Sequence, residues 1–379
     1  MLTGAAAMLI AILSGCSTIE SLNPFSSAPK SKPAELTAII PTAELRTDWQ
    51  SSIGTSGEFS FTPAIIGNSV YVGARDGSLA RFDDGRQVWR ISIDQALSGG
   101  VGSDGKLVVV GTSRGEVLAF DAATGNAAWK TRVNSEVLAA PAVGGGLVAI
   151  RSGDSRIFGF EASDGKRRWI YQRSTPALSL RSYAGVAMAG RVVLAGFPGG
   201  KLVALSAENG ALSWEATVTL PKGATELERI ADITSLPVIR EREVCAVAYQ
   251  GRVACFDMTN GNPLWSREIS SSAGLDMDAK SLYVTDEQGS ILAFDRSNGS
   301  SLWKQDKLFM RGVSRPLVLG RHIVVGDAQG IVHLLNRDDG SFVARLTGDG
   351  SAIVADPQRF KDGLVIQTRN GGILALSVK

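Results

Sequence analysis

Short apolar runs broken by glycine-rich polar stretches fill the chain from residue 45 onward. Residues 107–111 read LVVVG, residues 116–120 EVLAF and residues 126–130 NAAWK. Runs this short, rich in Val and bounded by Gly, Asn and Asp, predict strands joined by tight turns. An upstream run such as APAVGGG at 140–146 adds a fourth strand. Proline near its start, as at Pro63, Pro141, Pro237 and Pro316, suits a first strand residue or a sheet edge.

The pattern recurs. GEVLAFDAATGNAAW begins at Gly115, GKLVALSAENGALSW at Gly200, GRVACFDMTNGNPLW at Gly251 and GSILAFDRSNGSSLW at Gly289. Aligned on its first residue, the unit starts at Gly77, Gly115, Ser155, Gly200, Gly251, Gly289, Gly330 and Gly371, at intervals of 38, 40, 45, 51, 38, 41 and 41 residues. Four short strands in a period near 40 predict a propeller blade. Each motif residue has a physical task. The leading Gly takes positive φ in a hairpin. Asp121, Asp257 and Asp295 accept main-chain hydrogen bonds in the next turn, which Gly125, Gly210, Gly261 and Gly299 close. The Trp four residues beyond, at positions 89, 129, 169, 214, 265 and 303, offers a broad face to the neighbouring blade. The seventh copy has Ala344 there, which predicts a weaker contact.

The eighth copy stops at Lys379 after its third strand, and the missing Trp strand stands at the other end, as LRTDWQSSIG around Trp49. Pairing the two ends in one sheet closes the ring and removes a free edge. The expectation is an all-β, eight-bladed β-propeller of four-stranded blades over residues 45–379, with an open solenoid as the rival. With 44% hydrophobic residues in 379, a large core is available. A net charge of +2 lacks the basic excess of a phosphate binder, so no nucleic acid is expected as a partner.

The first 44 residues follow other rules. An apolar run over 5–13 leads into Leu13, Ser14, Gly15 and Cys16, which resembles the lipobox of bacterial lipoproteins. That resemblance implies a signal peptide over 1–15 and lipidation at Cys16. Ser17, where Asp would favour inner-membrane retention, implies sorting to the outer membrane. A signal anchor is the alternative, although spanning a bilayer takes about 20 apolar residues. Pro24, Pro29, Pro33 and Pro41 among Ser and Ala make residues 16–44 a partly extended tether.

The unit G-x-L-x-A-F-D-x-x-x-G-x-x-x-W resembles the tryptophan-docking repeat of the pyrroloquinoline-quinone (PQQ) dehydrogenase superfamily over nearly all of 45–379. Taken with the lipobox and the eight repeats, the chain is similar to the BamB family of outer-membrane-protein assembly factors. The resemblance implies a non-enzymatic scaffold lipoprotein without a cofactor. It implies a lipid anchor at the periplasmic face of the outer membrane, docking onto BamA in the β-barrel assembly complex, and unfolded outer-membrane proteins as clients. TPALSLRS at 175–182 is similar to the Leu-x-Leu-Arg segment by which the family docks onto BamA, which points to Leu178, Leu180 and Arg181. DITSLP at 232–237 is similar to the family's acidic segment: Asp232 matches its first acid, and Thr234 stands where a second is often found.

Spacing alone singles out the same places. The two longest intervals, 45 and 51, put extra residues into YQRSTPALSLRSYAG and EATVTLPKGATELERIADI, each between a Trp strand and the next blade's first strand. Such loops share one face of a propeller, and insertions gather on the binding face. Adjacent blades then bring Leu178, Leu180, Arg181 and Asp232 near one another. Leu beside Arg suits an interface anchor, while the alternation of the two leucines equally suits a strand core.

The alternative function is a PQQ-dependent dehydrogenase-like or ligand-sensing periplasmic propeller. Dehydrogenases of that class carry an adjacent Cys-Cys pair and a Ca²⁺ site, whereas Cys245 and Cys255 are ten residues apart. Pairing their strands about Gln250 and Gly251 sets the two cysteines opposite each other, as a disulfide or as a buried free pair. GVGSDGKL at 100–107 fits G-x-x-x-x-G-K but has Leu107 where Ser or Thr would hold Mg²⁺. His322 and His333 fit no zinc pattern and read as surface or filler. Asp76, Asp83, Asp84, Asp338 and Asp339 read as turn acids. Neither a metal site nor a catalytic constellation is expected.

Overall fold

The computed structural model describes residues 32–379; the expected signal peptide and Cys16 lie outside the described residues. Eight four-stranded antiparallel sheets follow one another along the chain. Blades 1 to 7 are continuous, over residues 64–92, 97–132, 142–171, 187–217, 238–268, 274–305 and 317–347. Blade 8 joins residues 358–378 to the strand Leu45–Ser52. Register runs from Leu45 opposite Val378 to Ser52 opposite Gly372. The fold is the eight-bladed propeller that the repeat predicts, with both chain ends in one blade.

Burial grades outward through each blade. The second and third strands, such as Leu147–Arg151 and Ile157–Glu161, are buried on both faces because each is sandwiched between neighbouring blades. The fourth strand is more exposed and carries a bulge. Ala119 pairs with Trp129 and Phe120 with Ala127, so Ala128 is skipped. The same slip precedes the Trp position in all eight blades. A bulge bends its strand and re-aims a side chain; here it turns the indole onto the next blade.

Six indoles lock in one way. The Nε1–H groups of Trp89, Trp129, Trp169, Trp214, Trp265 and Trp303 donate to the carbonyls of Ala122, Ala162, Ala207, Met258, Arg296 and Arg337, each in the next blade's last turn, at 2.6–3.1 Å. The turn glycine makes the approach possible: a Cβ on Gly165, at φ +71°, would lie 2.5 Å from the Trp129 ring. Two junctions differ. Trp49 lies against Gly85, but that turn is two residues shorter than its counterparts, and the buried Trp49 Nε1 has no partner. Ala344 faces blade 8, where the chain ends stand in place of the turn, so an indole there would have nothing to grip. Ala344 instead shares an apolar cluster with Ala43 and Leu374.

Residues 34–44, the last part of the expected tether, pack on the ring. The Ala34 amide donates to the Phe309 carbonyl at 2.9 Å and the Thr42 amide to the Val343 carbonyl at 3.0 Å. Glu44 and Lys379 exchange main-chain bonds at 3.1 and 3.0 Å, and Leu36 packs on the apolar cluster of blades 6 and 7. Within blade 5, Cys245 and Cys255 stand opposite each other in register and form a disulfide, both fully buried.

Candidate docking face

The insertion between blades 3 and 4, residues 172–186, contains no strand; its backbone is carried by contacts with other loops. The insertion between blades 4 and 5, residues 218–237, supplies the main one. Asp232 is 2% exposed. One carboxylate oxygen accepts the Leu180 amide at 2.7 Å and the other accepts the Gly199 amide at 3.0 Å, while the Asp232 carbonyl accepts the Tyr249 amide at 2.8 Å. An ionised carboxylate that accepts main-chain N–H groups makes strong, charge-assisted bonds, so the Asp232 side chain ties the 172–186 loop to the blade 4 hairpin while its carbonyl ties the second insertion to blade 5.

A second charge lies beneath it. Arg151, 7% exposed, stacks over the Phe197 ring at 5.4 Å and donates to the Ala184 carbonyl at 3.5 Å. Burial pulls its guanidinium down to about 10, and the Asp232 charge opposes that pull. The buried acid therefore has a buried countercharge, which lowers the cost of desolvating either.

Above this pair the loop points outward. Leu178 is 39% exposed and belongs to no strand, so the strand-core reading of the two leucines does not apply; Leu180 is half-buried. Arg181 turns away from Asp232 and forms a bidentate pair with Glu136 at 3.1 and 2.8 Å, over the Phe59 ring at 5.9 Å. That hydrogen-bonded carboxylate raises the Arg181 guanidinium above its ordinary range. The Tyr183 hydroxyl donates to the Glu58 carbonyl at 3.0 Å, so the loop reaches the connection between blades 8 and 1. Thr234 fills the place of a second acid with a neutral group: its hydroxyl donates to the Ser272 carbonyl at 3.3 Å.

Of the four residues named from sequence, Leu180 and Asp232 are in direct contact, Leu178 is presented to solvent, and Arg181 is held by Glu136 in the preceding inter-blade connection, 45 positions earlier. Sequence reasoning missed Glu136, Arg151 and Tyr183, which belong to other repeats or carry no motif. It also passed over Leu220 and Leu227, exposed at 63% and 68% on the second insertion. A signal for these existed, since two leucines stand in the polar run TLPKGATELER. That insertion is ordered: Glu228 accepts the Ala224 and Thr225 amides at 2.7 and 3.0 Å, and Arg229 donates to the Gly223 carbonyl at 3.0 Å.

Loop residues 180–185 also line one side of a central channel of about 970 Å³, whose other lining includes Ser60, Thr62, Arg315 and Asp356. The disulfide does not face this channel. Among the described residues, no group of three or more His, Cys, Asp or Glu side chains is placed to hold a metal ion.

A family model described as outer membrane protein assembly factor BamB matches residues 75–305. The BamB of Bordetella pertussis is 43% identical over 365 residues, 96% of this chain and 93% of that one. The BamB of Nitrosomonas eutropha is 44% identical over 383 residues, covering 98% and 93%. The crystal structure of BamB from Moraxella catarrhalis superposes with a TM-score of 0.82 at 29% identity, covering 88% of this chain and 100% of that one. On repeat, ring closure and full-length similarity together, the chain belongs to the BamB family of outer membrane protein assembly factors.

Proposed function

We propose that this chain acts without catalysis, as a scaffold lipoprotein of the β-barrel assembly complex. It docks onto BamA through the 172–186 loop and assists the folding and insertion of outer-membrane proteins. Lipid on Cys16 holds it to the periplasmic face of the outer membrane. The observation that carries the reading is the Asp232 clamp on the Leu180 amide, which fixes a strandless loop so that Leu178 and Arg181 face solvent in a set geometry. Preorganising a loop lowers the ordering cost of binding, and exposed leucine beside arginine makes an interface anchor. Leu178 and Arg181 contact the partner; Asp232, being buried, acts through Leu180.

The test is co-purification with BamA alongside circular dichroism. Changing Leu178 and Leu180 together to Ser should keep the β-sheet spectrum and abolish capture. Lys106→Glu, in a hairpin at the other end of the blades, should capture as the parent does. A folded double variant that still captures BamA fully would refute the docking reading.

A further inference from the structure

Residues 34–44 run along blade 7 from one end of the ring to the other. Ala34 meets Phe309, in the connection between blades 6 and 7. That connection is the counterpart of the two docking insertions. Glu44 meets Lys379 at the opposite end. Main-chain bonds hold its two ends, and between the Ala34 and Thr42 amide bonds two arginines hold its carbonyls. Arg311 Nη1 donates to the Ala34 carbonyl at 3.0 Å, and Arg345 Nη1 donates to the Thr37 carbonyl at 2.5 Å.

Both arginines belong to one buried network. Asp327 and His333 are fully buried. Arg311 Nε donates to Asp327 Oδ2 at 2.7 Å, and His333 Nε2 lies 2.9 Å from the same oxygen. Arg345 Nε donates to His333 Nδ1 at 3.2 Å while its guanidinium covers the Phe342 ring at 4.5 Å. A guanidinium can only donate, so Nδ1 is the acceptor and the imidazole proton sits on Nε2, pointing at Asp327. The ring is neutral and both nitrogens are committed. The groups facing it are Asp327 from the turn before its strand, Arg345 from the fourth strand and Arg311 from the preceding connection. Its register partner on the second strand is the apolar Val325.

We propose that residues 34–44 form an acid-released clasp, in which neutral His333 holds Arg345 where it grips the Thr37 carbonyl. Protonating Nδ1 replaces the acceptor by a donor, sets N–H against N–H, and adds a positive charge beside two arginines. Arg345 must then leave, and its hold on the segment goes with it. Burial lowers the His333 imidazole below its ordinary value of 6.5, against the opposing pull of Asp327. A group depressed in the closed state is protonated first in the open state. The clasp is therefore at full strength above about pH 6.5 and weakens as pH falls through the depressed value. Opening frees residues 34–44 from the ring. Fully extended, residues 34–44 span at most roughly 40 Å.

Hydrogen exchange read by mass spectrometry on the full chain tests this, with rates corrected for intrinsic pH dependence. Residues 34–44 should be protected at pH 7.5 and exchange at least tenfold faster at pH 5, while strands His322–Gly326 and Ile331–Asn336 hold their protection. His333→Gln accepts from Arg345 and donates to Asp327 without titrating, so its clasp should stay closed at both pH values. Arg345→Ala should open the segment at pH 7.5 with the ring intact, and serves if His333→Gln fails to fold. An unprotected segment at pH 7.5, equal protection at both pH values, a clasp that stays closed in Arg345→Ala, or acid opening retained in His333→Gln would each overturn the proposal.

Discussion

Replacing Asp232 by Ala separates a residue that shapes a surface from one that touches a partner. The substitution leaves two main-chain amides without acceptors. Gly199 is buried, so its amide bears the full cost of an unsatisfied donor, about 1–3 kcal/mol. Leu180 is half-buried, and water can recover part of its loss. Arg151 also loses its countercharge, so the total should be about 2–4 kcal/mol. Asp232→Asn keeps the shape but only one acceptor oxygen, and should cost about 1–2 kcal/mol. Urea unfolding gives these differences, and hydrogen exchange over 176–182 reports the loop directly. Protection at Leu180 should fall in step with BamA capture across the two variants. The reasoning fails if Asp232→Ala stays within about 0.5 kcal/mol of the parent, keeps its loop protection and still loses BamA. Direct contact by the carboxylate would then be the better account.

Two further outcomes follow from the ring. Deleting residues 372–379 removes the strand that both Leu45–Ser52 and Gly363–Gln367 pair with, so the product should be insoluble or lack a cooperative unfolding transition; melting like the full chain would contradict closure. Trp303→Phe removes a hydrogen bond to the Arg337 carbonyl and should cost about 1–2 kcal/mol. Trp49→Phe removes an indole N–H that already lacks a partner and should cost less than Trp303→Phe in the same urea titration.

Architecture was legible because the repeat is written locally. A glycine at a hairpin, an acid in the next turn and a tryptophan after it each act within a few residues, so period and blade count can be read by eye. Even the end-to-end closure showed, as a missing strand at one terminus and a spare one at the other. The bulge before each tryptophan carries no sequence mark, since a skipped residue such as Ala128 looks like any strand residue. The long 172–186 insertion was legible from the repeat spacing, but the direction of Asp232 was not, because burial depends on which loop lies above it. His333, read from sequence as surface or filler, is fully buried in a charged network. Its partners Arg311, Asp327 and Arg345 are scattered through blade 7 and the connection before it, and only the ring brings them to the 34–44 segment.

Closure by the first and last strands also sets a timetable. The Asp48 and Ser377 side chains that bond across blade 8 are 329 positions apart, whereas strands within a blade are joined by turns of a few residues. Bringing such distant segments together costs about 3 kcal/mol more chain entropy than closing a loop of about ten residues. A contact of this range rewards folding only late, after the intervening blades have shortened the path. Until blade 8 closes, Leu45–Ser52 is an unpaired strand, open to pairing with another chain. The last blade to form is therefore the one most exposed to misassembly, and its completion sets the pace for the whole ring.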